Sequence, residues 1–277
     1  MNNLTEKGAL YVVATPIGNL SDFTKRAESI LKQVDFIAAE DTRVTQKLLS
    51  HFEIKKPLIS YYEHNIRQKG EEILQRLSSG ETCAIVSDAG MPCISDPGED
   101  IVYLCRENGI NVYVVPGACA AVGALAISGI STKRFAFEGF LSTNKNKRIE
   151  HLQKIKNDDR TLIFYEAPHK LITTLKDLQL SFGDRKISII REMTKIYEEV
   201  IYTTLNKATQ IYSQENKPRG EYVLVVQGNV ETIEFTIEDA ILIAKKYIEK
   251  GEKVSEAAKL SAKETGIKKS DIYKLLQ

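Results

Sequence analysis

The sequence predicts two α/β domains followed by a small helical unit. Three patterns carry this reading. Apolar, strand-like runs recur at Leu10 to Ala14, Asp35 to Ala39, Leu58 to Ser60, Cys83 to Ser87 and Asn111 to Val115, with helical spacing between most of them. A second set lies at Phe135 to Phe140, Thr161 to Tyr165, Ile187 to Arg191, Glu198 to Thr204 and Tyr222 to Gln227, and its last three runs have short connections. The remaining stretch is amphipathic and rich in lysine.

The first set reads as a parallel, doubly wound half over residues 1–117, because strands that alternate with helices must cross over and pair in parallel. The closely spaced runs of the second half, 118–230, imply antiparallel pairs. A small-residue helix from Ala118 to Ser128 bridges the two. In the tail, 231–277, Thr236 to Lys250 carries Ala240, Ile241, Ala244, Tyr247 and Ile248 on one side, and Gly251 is placed to end that helix. A second helix, Val254 to Glu264, is followed by Thr265 and Gly266, and Ser270 caps a third through Leu276. The tail therefore has a helix-turn-helix look. From Lys245 onward nine lysines meet five acidic residues. Such a surface either grips a phosphate backbone or is simply a solvated face.

Composition excludes several functions. The 277 residues, 43% of them hydrophobic, suffice for more than one core. With 38 basic and 37 acidic residues the net charge is +1, so a nucleic-acid partner must be met by local patches. Cys83, Cys93, Cys105 and Cys119 form no CxxC pair, sit in or beside apolar stretches and read as buried free thiols. There is no HExxH, GxSxG or GxxxxGK[ST], and the four histidines are scattered, so no metal is expected. The first strand runs into Thr15, Pro16, Ile17, Gly18, Asn19 and Leu20 instead of GxGxxG, which argues against a nicotinamide enzyme. Neither a charged-then-apolar leader nor an apolar run near eighteen residues is present, and the expected compartment is the cytoplasm.

The most informative segment is Val86 to Gly98, VSDAGMPCISDPG, where an apolar strand stops in a run of Asp, Gly, Pro and Ser before a helical pattern from Glu99. A second strand, NVYVV, likewise ends in Pro116, Gly117, Ala118, Cys119 and Ala120. Ligands of open α/β sheets bind at the carboxyl ends of strands, where small residues admit the ligand to the backbone. Either loop by itself suits an ordinary connection; two side by side point to a ligand cleft between the halves.

Charged groups follow other strands. Glu40, Asp41 and Arg43 follow Asp35 to Ala39, either to serve the chemistry or to begin a helix capped by Asp41. Glu166 and His169 follow Thr161 to Tyr165, and Glu192 and Lys195 follow Ile187 to Arg191; these face a substrate across the cleft or form ion pairs. Tyr61, Tyr62, His64 and Asn65 offer aromatic faces and amide donors of the kind that read splayed RNA bases, or pack a loop. Lys145, Lys147 and Arg148 form a basic cluster suited to phosphate.

Taken in order, VATPIGNLSD, AEDTR, SDAGMPCISDPG, YEAPHK, REMTKIYEEV and PRGEYVLVV resemble the tetrapyrrole methylase superfamily and, within it, the 16S ribosomal RNA cytidine 2′-O-methyltransferases known as the ribosomal RNA small subunit methyltransferase I family. The resemblance spans nearly the whole chain, the helical tail included. It implies two α/β domains with S-adenosylmethionine in the cleft between them, contacted by Asp88, Ala89, Gly90, Ile94 and Ser95 of the first loop. Pro116, Gly117, Ala118 and Ala120 of the second loop and Pro16 near the N-terminus complete that implied pocket. Cys119 stands where relatives usually have Ser, which puts a hydroxyl contact in question. The implied reaction is attack of a ribose 2′-hydroxyl on the sulfonium methyl, without metal, by a homodimer acting on 16S rRNA or the assembled small subunit. Two rival readings remain: the same fold acting on a small molecule such as a tetrapyrrole, and a non-catalytic RNA-binding or assembly protein.

Overall fold

Strands β1 (Leu10–Val13), β2 (Phe36–Ala39), β3 (Leu58–Ser60), β4 (Cys83–Val86) and β5 (Val112–Val115) form a wholly parallel sheet in the order β3-β2-β4-β1-β5. The computed structural model describes residues 5–214, 218–229 and 236–276. Its central strands are apolar on both sides because helices cover both faces. Helices α1 (Lys25–Gln33) and α2 (Thr42–His51) bury Ile30, Leu31 and Leu49 against Tyr11, Val13 and Val86. On the opposite face α3 (Ile66–Ser78) and α4 (Glu99–Glu107) bury Ile73, Leu77 and Ile101 against Leu10, Val12 and Ile85. Full burial of one such side chain contributes about 1.5–3 kcal/mol.

The second sheet contains β6 (Phe135–Phe140), β7 (Thr161–Glu166), β8 (Lys186–Arg191), β9 (Glu199–Thr204) and β10 (Tyr222–Val226), in the order β6-β7-β10-β8-β9. Only β6 and β7 pair in parallel; β7–β10, β10–β8 and β8–β9 are antiparallel. Along β10 the side chains alternate. Leu224 and Val226 join the core made with α6 (Lys145–Ile155), α7 (Leu171–Phe182) and α8 (Leu205–Gln214), whereas Val223 and Val225 pack against α5 (Ala120–Ile127). The expected antiparallel pairing is present at β8–β9. The expected short link from β9 to β10 is not, because α8 intervenes and β10 inserts between β7 and β8.

Both sheets belong to one compact unit, Met1–Asn229, and a second unit is Val230–Gln277; the expected junction at 230/231 lies outside the described residues. In the second unit α9 (Ile237–Glu249), α10 (Val254–Thr265) and α11 (Lys269–Leu276) enclose Ala240, Ala244, Ala258 and Ile272. Small alanines let these helices approach closely, and the buried Ser261 hydroxyl donates to the Ala240 carbonyl at 2.6 Å. Gly266 ends α10 in the left-handed conformation. Ser270 is not a cap: α11 already begins at Lys269, and the Ser270 hydroxyl bonds Asp271. Cys83 and Cys105 are buried free thiols, while Cys93 and Cys119 are half-buried. No helix among the described residues is long and apolar enough to cross a membrane.

Thr236 and Asp239 form a reciprocal capping box at the start of α9. Thr236→Ala will cost about 1 kcal/mol there, seen as roughly fivefold faster amide hydrogen exchange in α9.

Candidate functional site

The carboxyl ends of β1, β2, β4 and β5 share one edge, and the loops leaving them are tied together by backbone. Thr15 and Gly90 exchange amide hydrogen bonds of 2.8 and 3.1 Å, and the Thr15 hydroxyl donates to the Ser87 carbonyl. The Asp41 amide donates to the Asp88 carboxylate at 3.1 Å, and the Asp88 amide donates to Glu40 at 3.5 Å. Opposite this edge stand Phe140 of β6, Tyr165 and Glu166 of β7, Ile190 of β8 and Tyr222 of β10. Between them lies a cavity of about 540 Å³, within the range of small-molecule sites.

Of the sequence-derived cofactor residues, Asp88, Ala89, Gly90, Ile94, Ser95 and Ala120 line this cavity. Pro16, Pro116, Gly117 and Ala118 do not, and Ile17 lines it beside Pro16 in the chain. Gly117 answers to packing: a Cβ there would sit 2.9 Å from the Ala14 Cβ. Cys119 precedes α5 without a side-chain capping bond.

The candidate acids divide similarly. Glu40 and Glu166 line the cavity, as does His169. Asp41 and Arg43 do not line it: Asp41 caps α2 and pairs with Arg43 at 2.6 Å, which holds its carboxyl down at about 2. Glu192 and Lys195 also lie off the cavity wall; Lys195 bridges Glu192 at 2.9 Å and Glu221 at 3.0 Å. That pair anchors the β8–β9 loop, whose Met193 does reach the cavity. Glu166 is buried and accepts from the Thr174 hydroxyl and the Ala167 amide, which fixes its carboxylate against β7.

Electrostatically the cavity is acidic. Burial, and secondarily Asp88, raises the Glu40 carboxyl; burial also raises Asp88. Asp96, absent from the sequence-derived set, is pushed up to about 6 by burial and then by Glu40. The Tyr165 hydroxyl accepts from the Ala121 amide at 3.0 Å, and burial pushes it up to about 12. Among the described residues that line the cavity there is no Lys or Arg. Asp96 lies inside the loop that sequence singled out, and Tyr165 opens YEAPHK, so both carried a signal. Tyr222 lies within PRGEYVLVV, whereas Phe140 carried no signal, since only sheet pairing brings it here.

Two proposed RNA contacts are corrected by burial. Tyr61 is 1% exposed in the core of the first sheet and has no face to offer a base. Arg148 is 8% exposed, pairs with Asp177 at 2.6 Å and donates to the Ser142 and Thr143 carbonyls. Asn65 shapes its turn by accepting from the Tyr62 amide and donating to the Ser60 carbonyl. Tyr62, His64, Lys145 and Lys147 remain exposed.

Residues 9–209 match the Tetrapyrrole (Corrin/Porphyrin) Methylases. A ribosomal RNA small subunit methyltransferase I of Halalkalibacterium halodurans is 46% identical over 275 residues, covering 98% of this chain and 95% of that protein. Its counterpart in Escherichia coli O157:H7 is 42% identical over 270 residues, covering 97% and 94%. The chain belongs to the tetrapyrrole methylases, in their ribosomal RNA small subunit methyltransferase I branch. Among solved tetrapyrrole methylase structures, uroporphyrin-III C-methyl transferase from Thermus thermophilus complexed with S-adenyl homocysteine has a TM-score of 0.56 at 15% identity, covering 79% of this chain and 97% of that one. A diphthine synthase gives 0.58 at 14%, covering 79% and 89%. At such identity the likeness concerns the fold alone, and a fold with two differently named activities leaves the acceptor to other evidence.

Arg148→Ala would leave Asp177 buried and unpaired, so a loss of about 3 kcal/mol in urea unfolding is expected. Lys145→Ala and Lys147→Ala, at exposed positions, should stay within about 0.5 kcal/mol.

Proposed function

We propose that this chain is an S-adenosylmethionine-dependent methyltransferase that methylates the ribose 2′-hydroxyl of a cytidine in 16S ribosomal RNA. The observation that carries it is the acidic cavity at the carboxyl edge of the parallel sheet, in a chain 42–46% identical along nearly its full length to proteins named for this RNA. The donor set fits the cofactor: Glu40, Asp88 and Asp96 offer negative charge and acceptors to a sulfonium, an ammonium and ribose hydroxyls, while Ile17, Met91, Ile94 and Val223 offer apolar contact. When bound, S-adenosylmethionine supplies a methyl already activated on positively charged sulfur.

The protein must then position and desolvate. Asp88, Ala89, Gly90, Ile94, Ser95 and Ala120 hold the cofactor, with Pro16, Pro116, Gly117 and Ala118 supporting that wall. Alignment of acceptor oxygen and methyl at near-attack distance accounts for up to about 7–11 kcal/mol of barrier reduction in favourable cases. Glu40 and Glu166 are positioned to orient the acceptor. Tyr62, His64, Lys145 and Lys147 are the exposed residues offered to RNA, and the helical unit adds lysines. The small-molecule reading gains no observation of its own, and a non-catalytic role leaves the acidic cavity without a purpose. A cytoplasmic homodimer completes the proposal: α5 leaves Val122 and Ile127 exposed, and exposed Tyr202 of β9 donates its hydroxyl to the Ile127 carbonyl.

Labelled methyl from S-adenosylmethionine, offered to small ribosomal subunits lacking the modification, should appear as 2′-O-methylcytidine on nucleoside analysis. Cofactor binding with an unlabelled RNA would overturn the acceptor. The double variant Lys145→Ala/Lys147→Ala should reduce the slope of log affinity against log salt by roughly 1 to 2; an unchanged slope removes these lysines from the interface.

A further inference from the structure

Strand β6 contains a bulge that turns one phenylalanine to the other face of its sheet. Phe137 pairs with Ile163 of β7, but Gly139 pairs with Phe164 and Phe140 with Tyr165, so Glu138 is an extra residue and the register shifts. Side chains paired across strands share a face. Without the shift Phe140 would stand beside Glu166, whose carboxylate meets Thr174 of α7 on the face covered by α6 to α8. With it, Phe140 joins Phe137 and Tyr165 on the face toward α5. The rings agree: Tyr165 meets Phe137 at 4.9 Å and Phe140 at 5.5 Å between centroids, both near edge-on. The bulge is held in place, because Glu138 meets His151 of α6 at 2.8 Å and Gly139 supplies the left-handed conformation (φ 63°).

This distortion does not serve the core. Phe140 is 56% exposed, yet it lines the cavity. Phe140, Tyr165, Val223 and Ile190 stand in one register row across four strands, and all four border the cavity, with Phe140 at the edge-strand end. An aromatic face aimed at a cavity and left uncovered suits a flat ring. Beyond Phe140 the chain enters a fixed basic turn. Arg148 holds the Ser142 and Thr143 carbonyls, Asn144 caps α6, and exposed Lys145 and Lys147 follow. Five residues of chain span at most about 18 Å, so one short stretch of a polyanion can meet both the ring and the lysines.

We propose that Phe140 is the stacking platform for the base of the nucleotide being methylated, an assignment that rests on the methyl-transfer reading above. A ribose that brings its 2′-hydroxyl into the cavity carries its base with it, out of the stack of its neighbours. An aromatic side chain offsets that lost stacking. The cofactor does not need this end of the row: its wall is built from loops of the first sheet, and Val223 lies two strands, about 10 Å, from Phe140. Every base has a π-face, so Phe140 supplies binding and orientation, and the identity of the base is read elsewhere.

Phe140→Ala tests this on small subunits reconstituted with 16S RNA that is either intact or abasic at the target nucleotide, the ribose being kept in both. On intact subunits the variant should bind about 5- to 150-fold more weakly than wild type, the range of base–aromatic stacking. Phe140→Trp should restore most of that affinity. On abasic subunits wild type and Phe140→Ala should bind within about threefold of each other, because the ring has already lost its partner. S-adenosylmethionine affinity, read by calorimetry, should stay within about threefold of wild type and certifies folding. A variant within threefold of wild type on intact subunits overturns the assignment, as does an equal loss on intact and abasic subunits. A matching loss of cofactor affinity also overturns it and gives the ring to the cofactor's adenine. Wild type that leaves the intact ribose unmethylated overturns the reaction reading itself, which separates the two failures.

Discussion

The path of the chain out of β4 is the constraint on which the cavity depends. A buried parallel strand must release its chain at the carboxyl edge, and here the next twelve residues have to return to the sheet and still reach the opposite wall. The Thr15–Gly90 pairing fastens the loop to the chain leaving β1, and Asp88 fastens it to the chain leaving β2. Once those ends are tied, the left-handed turns at Cys93 and Ser95 are the remaining way to carry Asp96 inward and begin α4 at Glu99. Strain in this loop is thus the counterpart of a well-defined cavity wall.

The second sheet supplies what an open α/β sheet lacks, a fixed opposing surface. Because β10 inserts between β7 and β8, Tyr165, Ile190 and Tyr222 come from three neighbouring strands and meet the β4 loop together. Glu166 sits at the end of β7 with its carboxylate already occupied by Thr174 and Ala167. Those hydrogen bonds fix the orientation in which its carboxylate borders the cavity.

The strands were legible because β-branched runs stop at Gly, Pro and Asn, and the tail helices because their apolar residues keep helical phase. Strand order was not legible: α8, with Asn206, Lys207 and Gln210 among its apolar positions, looks in sequence like a polar link. The misplaced RNA residues did leave a signal. Tyr61 continues the alternation of Ile59 into the same core, and Arg148 lies four residues before buried Leu152 on the inner face of α6. Asp96 had no such phase to read. Loops have no periodicity, and the approach of its neighbour Ser95 to Gly139 joins positions more than forty apart along the chain.

A net charge of +1 conceals opposing local fields, and their separation bears on how a polyanion is handled. The cavity gathers Glu40, Asp88 and Asp96 without Lys or Arg among its described lining residues, so a phosphate meets repulsion there while a sulfonium meets attraction. Exposed Lys145 and Lys147 open α6, away from the cavity lining, and the lysines of α9 to α11 belong to a separate unit. Phosphate contacts fix position without reading the sugar, whereas the reaction needs one hydroxyl in a site built for positive charge. An acidic pocket with basic groups outside its lining suits both demands of the proposed reaction: charge at the surface would hold the backbone, and the group offered to the cavity would be the uncharged ribose.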